Sequence, residues 1–256
     1  MNSQFPIQSS DPLLLEKATR IAKEFAGQYM NDDIVGIVFL GAIVRGYFDH
    51  FADIDIAVFK KQGSAVSLAS QFLKVEGLEV HCHLSDYEDE LDATWSMPKR
   101  WTFSQGQIYH DPDGKIAKLL ANKVPMKPEE KKQLMMWGLS MSEWYIYRLT
   151  QLWVERGNLV GAHHMVNEGV NFFMDMLFAL NDQLVPDTKW KYYCAEKLEQ
   201  LPLNFREGMQ DVMTLHDFSV DELERRRRSF MKMWETMRPM IEQEVKLSYE
   251  EINQLV

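Results

Sequence analysis

DIVGIVFLGAIVRGYFDHFADIDIAVF, residues 33 to 59, decides how the rest of the chain is read. Its apolar run Ile34 to Leu40 reads as a first strand, and it stops at Gly41, where the missing Cβ lets the backbone turn sharply and approach a ligand. About two helical turns follow. The stretch Asp53-Ile54-Asp55-Ile56-Ala57-Val58-Phe59 then alternates, so a strand there puts Asp53 and Asp55 on one face and Ile54 and Ile56 on the other. Two carboxylates thus point the same way from a rigid element.

Neighbouring carboxylates repel and raise each other's pKa unless a cation lies between them. A divalent metal removes that cost. Mg²⁺ suits such a pair, because it takes hard oxygen ligands and is commonly held by one or two carboxylates together with substrate phosphates. The Gly41-Ala42 turn opens a helix whose first amides have no partner within the helix and are free to receive a phosphate. The expectation is a metal site facing a phosphate site.

Gly41-Ala42, a gap of ten residues, then Asp53-Ile54-Asp55 resembles the signature of the nucleotidyltransferase superfamily with the polymerase-beta-like fold. That signature runs hydrophobic-Gly-(Gly/Ser), a gap of about that length, then Asp-x-(Asp/Glu). Position 42 is Ala where the family often carries Ser, and position 52 is Ala where a Ser commonly precedes the first Asp. Both metal ligands are kept. In the superfamily a third carboxylate on a neighbouring strand completes the metal site or acts as base, and Leu78-Glu79-Val80 resembles that position as it occurs in aminoglycoside adenylyltransferases. The resemblance therefore implies Asp53, Asp55 and Glu79 as catalytic and metal-binding residues, with Gly41, Ala42 and Arg45 at the nucleotide.

Glu79 belongs to a third strand, Gly77 to Leu84, where Glu79, His81 and His83 share one face and Leu78, Val80, Cys82 and Leu84 the other. Alternate histidines on a strand read first as ordinary polar-face residues, with a substrate contact or a transition-metal site as the sharper alternatives. Upstream, Lys60 to Ser64 reads as a turn and Ala65 to Lys74 as a helix or irregular connection. Downstream come an acidic turn with Glu88, Asp89, Glu90 and Asp92, read as solvated surface, then Trp95 and Trp101 as packing residues. Arg100 between them is a candidate phosphate or nucleobase contact. Gln107 to Gly114 reads as a last strand ending in an Asp-Pro-Asp-Gly turn. At the start of the chain, residues 1 to 10 read as a loose tail, and Asp11-Pro12 as the N-cap and first position of a helix reaching Gly27.

The 256 residues carry 46% hydrophobic content, enough to bury a core in one large domain or two small ones. A net charge of -10 argues against bulk nucleic acid as the main partner, since that binding rests on Lys and Arg neutralising phosphates. A small cationic acceptor suits it better. The opening residues lack a signal-peptide pattern and no apolar run reaches membrane-spanning length, so a cytoplasmic protein is expected. Cys82 and Cys194 lack the spacing of a zinc site or disulfide scaffold and are expected as reduced thiols.

Pro125-Met126-Lys127-Pro128 reads as a domain boundary. Beyond it apolar residues recur at three- and four-residue spacing in five segments: Glu129 to Arg156, Leu159 to Asn181, Thr188 to Gln200, Asn204 to His216 and Val220 to Lys246. The expected fold class is α+β: residues 1–125 a nucleotidyltransferase domain with a mixed sheet flanked by helices, residues 126–256 an all-α helical bundle serving the substrate and nucleotide cleft. In this half, Phe178-Ala179-Leu180-Asn181, Pro186 and Lys189-Trp190 resemble the Leu-Asn, Pro, Lys-Trp pattern of antibiotic nucleotidyltransferase relatives. The resemblance implies that Lys189 and Asn181 contact the nucleotide and that Trp190 packs between domains. His163, His164 and Glu168 form a candidate acceptor-binding set. Arg225 to Arg228 spread around a helix beside Asp221, Glu222 and Glu224, and read as a solvated, ion-paired face.

The activity implied is Mg²⁺-dependent transfer of a nucleoside monophosphate, AMP from ATP, to a hydroxyl of a small molecule such as an aminoglycoside-like antibiotic. Two alternatives stay open: a catalytically silent nucleotide-binding module, suggested by Ala42 and Ala52, and a regulatory enzyme modifying protein or RNA.

Overall fold

The structure is a computed structural model, and it describes residues 7–68 and 70–256. Two compact units divide the chain, Met1–Pro125 and Met126–Val256.

The first unit is built on a five-stranded mixed sheet. Its strands are β1 (Ile34–Leu40), β2 (Ile54–Lys60), β3 (Phe72–Val75), β4 (Leu78–Asp86) and β5 (Gln107–His110), in the order β3-β4-β2-β1-β5. β2 runs parallel to β4, and the β1–β2, β1–β5 and β3–β4 pairs are antiparallel. All seven residues of β1 are buried, which explains its unbroken apolar run: a central strand covered on both faces has no polar side to alternate with. On one face Val35, Val38, Leu40, Ala57 and Phe59 form a core with Tyr87, Trp95, Phe103, Ile116 and Leu119. Those partners come from α3 (Tyr87–Asp92), α4 (Met97–Ser104) and α5 (Lys115–Lys123), with Trp95 in the loop between the first two. Helix α1 (Pro12–Gly27) begins as its sequence signals, with Asp11 accepting from Leu13 N and Pro12 in the first turn, and buries Ala18, Ile21, Ala22, Phe25 and Ala26.

Several elements differ from the sequence reading. Residues 72–74, the end of the stretch read as a helix or irregular connection, form with Val75 the edge strand β3, short and half-exposed, so it carries little periodic signal. The acidic turn is helix α3, and α4 follows from a Ser96 cap that accepts from Lys99 N. Glu90 is not simply solvated, because its carboxylate accepts from Trp95 Nε1 and Lys99 Nζ. The loose-tail reading lies outside the described residues for positions 1 to 6 and fails for Ser9 and Ser10. Both serines are tied to the loop before β2: Ser9 donates to the Asp49 carboxylate, and Ser10 Oγ accepts from Phe48 N.

The second unit is helical: α6 (Pro128–Trp144), a π-helical turn (Tyr145–Leu149), α7 (Thr150–Glu155), α8 (Leu159–Leu180), α9 (Thr188–Ala195), α10 (Phe205–Met213), α11 (Val220–Val245) and α12 (Tyr249–Leu255). α8 packs on α6, α7, α9 and α11 and contributes Phe173, Met176, Leu177 and Phe178 to the core. At the crossing with α6, a Cβ on Gly138 would lie closer than 3.0 Å to Met176, so only glycine lets the helices approach this far. The π-helical turn widens a segment expected to be one regular helix. Its loosened carbonyls find donors, Ile146 O and Tyr147 O from the Thr150 hydroxyl and Tyr147 O also from Arg227. The terminal helix α12 lies beyond the last segment expected and is fixed by a Ser248–Glu251 capping box.

The basic run at Arg225 to Arg228 is partly as expected: Arg225 pairs with Glu222 and Arg227 with Glu224 at helical spacing. Arg226 departs from that reading. It is 2% exposed and donates to Val212 O, Asn167 Oδ1 and His163, so it staples α11 to α10 and α8. His163, one of the candidate acceptor-binding set, is interior as well; His164 is exposed and reaches Glu168 at 4.0 Å.

Candidate metal centre

The register of the sheet assembles the site. Leu40, the last residue of β1, pairs with Asp55, so Gly41 and the short helix α2 (Gly41–Arg45) start directly beside the beginning of β2. Asp55 pairs with His81 across the parallel β2–β4 ladder. In-register partners project from the same face, so Asp53, Asp55 and His81 stand together. Ala57 and Phe59 lie further along that face, under α3 to α5.

Each of the three offers one ligand atom within 4.8 Å of the others. His81 Nδ1 lies 2.9 Å from Asp53 Oδ2 and 3.9 Å from Asp55 Oδ1. The side chains are half-buried, at 35% for Asp53, 28% for Asp55 and 23% for His81. Glu79 is outside this trio: its carboxylate is 68% exposed and lies 3.7 Å from Nε2, the outward nitrogen of the same imidazole. The geometry thus brings together two of the three expected acids, with a histidine in the third place.

Gly41 supports the cluster in a second way. Its φ is +65, and a Cβ built there would lie closer than 3.0 Å to Asp55 Oδ2 and 3.2 Å from Asp55 Cγ. One Asp55 oxygen is therefore seated against the turn while the other faces His81. Asp49 anchors the loop into β2 by accepting from Ser9, and from Phe51 N at 3.0 Å. The Ser9 hydroxyl, above all, holds the Asp49 carboxyl below the usual carboxylate range. Nothing in the amino-acid pattern singles out Asp49; its role depends on Ser9, forty residues away.

Of the other expected residues, Ala42 is buried in the first turn of α2. Arg45 is 4% exposed, stacks on Trp101 with its guanidinium carbon 3.8 Å from the ring centroid, and reaches Gln105 Oε1 at 3.3 Å. Arg100, read as a phosphate or base contact, instead donates to Val124 O and Pro125 O and fixes the end of the unit. Cys82 faces away from the cluster, and burial pushes its thiol up to about 12, which leaves it inert at neutral pH. In the helical unit, Asn181 terminates α8 by bonding Leu177 O, Gln200 O and Gln200 N. Lys189 is exposed in the first turn of α9, and Trp190 stacks edge-on with Tyr193.

Residues 99–191 match a family model described as a domain of unknown function, DUF4037. The match begins after β4 and leaves Asp53, Asp55 and His81 outside it. No curated protein matches. Among solved structures, the chain is similar to a nucleotidyltransferase-like protein from Exiguobacterium sibiricum 255-15, at 13% identity and a TM-score of 0.49, covering 90% of this chain and 78% of that one. Among the described residues no helix is long and apolar enough to cross a membrane.

The donor set fits a divalent cation. Asp53, Asp55 and His81 offer three ligand atoms within 4.8 Å of one another, and Gly41 leaves room for a carboxylate where any other residue would place a side chain.

Proposed function

We propose that the protein is a divalent-metal-dependent nucleotidyltransferase that moves a nucleoside monophosphate, AMP from ATP, to a hydroxyl of a small cationic molecule of the amino-sugar type. The observation that carries this reading is the clustering of Asp53, just before β2, with Asp55 on β2, together with the seating of Asp55 against the Gly41 turn. A net charge of -10 favours a cationic acceptor.

Asp53 and Asp55 hold Mg²⁺ in this reading, and the ion supplies charge neutralisation at the triphosphate and polarises the α-phosphoryl group. The backbone at Gly41 and Ala42, beside those carboxylates, takes up the phosphate oxygens. The acceptor oxygen bonds to the α-phosphorus, the bond from that phosphorus to the α,β-bridging oxygen breaks, and pyrophosphate leaves with the electron pair. Glu79, exposed and close to the cluster, receives the acceptor proton. Rate gain comes chiefly from positioning and from fixed charge around the phosphoryl group.

The test is pyrophosphate release from ATP and Mg²⁺ across a panel of amino sugars and lincosamides, with α-labelled ATP to follow the nucleotide. Labelled small-molecule product in the wild type and none in Asp55→Asn supports the reading. Metal-dependent ATP binding without release on any acceptor favours a silent binding module, which Ala42 and Ala52 make the natural second reading.

A further inference from the structure

We infer that His81 is the third metal ligand of this centre, and that the resulting two-carboxylate, one-imidazole set makes the site prefer a divalent transition ion such as Mn²⁺ to Mg²⁺. This rests on the metal site proposed above and goes beyond it by naming the ligand and the ion.

Three observations carry it. The register pairs His81 with Asp55 on the adjacent parallel strand, so its imidazole rises from the same face as both carboxylates. Nδ1 is turned inward, 2.9 Å from Asp53 Oδ2 and 3.9 Å from Asp55 Oδ1, so a ring nitrogen occupies the remaining position around the acid pair. The ring has neighbours on both sides: Phe72 on the edge strand packs edge-on against it at 4.8 Å between centroids, and the exposed Glu79 carboxylate lies 3.7 Å from Nε2. A ligating histidine whose other nitrogen faces a carboxylate is the usual way in which a protein fixes the ring and raises its basicity. Glu79 is therefore placed to support the ligand rather than to be one, and its exposure leaves its second oxygen available for the acceptor proton.

The chemistry follows from the donors. Mg²⁺ favours an all-oxygen octahedron and is reluctant to exchange water for other ligands, whereas imidazole suits transition ions and carboxylates also suit Mn²⁺. A mixed set shifts preference toward an ion that accepts both.

The experiment uses the full chain, stripped of metal by chelation and titrated with Mn²⁺ or Mg²⁺ in the absence of nucleotide. Calorimetry gives the affinities, and pulsed electron paramagnetic resonance of the Mn²⁺ complex detects a directly bonded nitrogen. The wild type should bind Mn²⁺ more tightly than Mg²⁺ and show ¹⁴N modulation. His81→Ala should lose that modulation and at least about tenfold in Mn²⁺ affinity, since even outer partners of a metal ligand are worth that much. Its Mg²⁺ affinity should change far less, and circular dichroism should report an unchanged fold. A wild-type Mn²⁺ spectrum without ¹⁴N coupling, or wild-type Mn²⁺ affinity in His81→Ala, overturns the inference. Asp55→Asn separates the two levels: if it loses Mn²⁺ while His81→Ala does not, only the ligand assignment fails, and if both bind as wild type the metal centre itself fails.

Discussion

Asp55 fills the space that a side chain on Gly41 would need, with one carboxylate oxygen seated against the glycine and the other turned to His81. The turn after β1 and the acid on β2 are thus one fitted pair, although fourteen positions separate them. Gly41→Ala should be costly twice over. At φ +65 a residue with a Cβ pays about 1–3 kcal/mol of backbone strain, and the new methyl must push the carboxylate off its seat. The expected result is a lower melting temperature together with a fall of about tenfold to a hundredfold in metal affinity, the range for residues that orient ligands. Thermal denaturation and calorimetric titration of one sample check both.

Asp49 should act on the site at a distance. It ties Ser9 to the amide of Phe51, just before Asp53, so Asp49→Ala removes both hydrogen bonds and leaves the loop into β2 less constrained. A loss of about 1–3 kcal/mol is expected from the bonds left unmade, and weaker metal binding should accompany it. Ser9→Ala should reproduce part of this effect. Urea denaturation with Asp49→Ala and Ser9→Ala, singly and combined, should show non-additive losses because the two side chains share one bond.

The helical unit contains a pH-sensitive contact. His163 Nδ1 lies 3.0 Å from Arg226 Nη1, and its Nε2 lies 3.2 Å from Ser219 O, an arrangement that suits a neutral ring accepting from the guanidinium and donating to the carbonyl. Burial chiefly, and Arg226 as well, hold its pKa below the ordinary 6.5. A histidine depressed in the folded state binds fewer protons there than in the unfolded chain, so stability rises with pH through that window and is lost as pH falls below about 6.5. Urea midpoints taken between about pH 5 and pH 8, the range in which histidine titrates, should fall on the acid side for the wild type. His163→Gln should flatten that part of the curve.

At the α6–α8 crossing, Gly138 should tolerate no side chain. A Cβ there would meet Met176 Cβ and the carbonyl of Phe172, both closer than 3.0 Å, and the Phe172 carbonyl is backbone that cannot swing away. Gly138→Ala should destabilise the protein by about 1–3 kcal/mol, as overpacking of a filled core does. Gly27→Ala is the control: among the described residues, nothing beyond its chain neighbours and its own helix backbone lies within 4 Å of the place its methyl would take, so the melting temperature should change little.

Local pattern made much of this legible. The β1–Gly41–α2–β2 unit could be read because apolar runs, a glycine stop and strict alternation each act over a few residues, and the same alternation put Glu79 and His81 on one face. Which of the two reaches the carboxylates depends on the pairing of Asp55 with His81 between distant strands, and no local period encodes that register. β3 is four residues long and α3 six, too short for periodicity to separate them from loops. Arg100 and Arg226 were open to misreading for a related reason. An arginine buried against backbone carbonyls looks, in one dimension, like any exposed cation, and only the fold reveals Val124, Pro125 and Val212 as its acceptors.

In the proposed centre, Asp53 and Asp55 share one divalent ion beside the Gly41 turn. Crystals soaked with Mn²⁺ and a non-hydrolysable ATP analogue, measured for anomalous scattering, test it most directly. The expected result is a peak within about 2.0–2.3 Å of an oxygen from each carboxylate, a distance typical of small divalent ions, with the triphosphate reaching the same ion next to Gly41 and Ala42. An analogue bound elsewhere, or Mn²⁺ density that touches neither aspartate, would contradict the account.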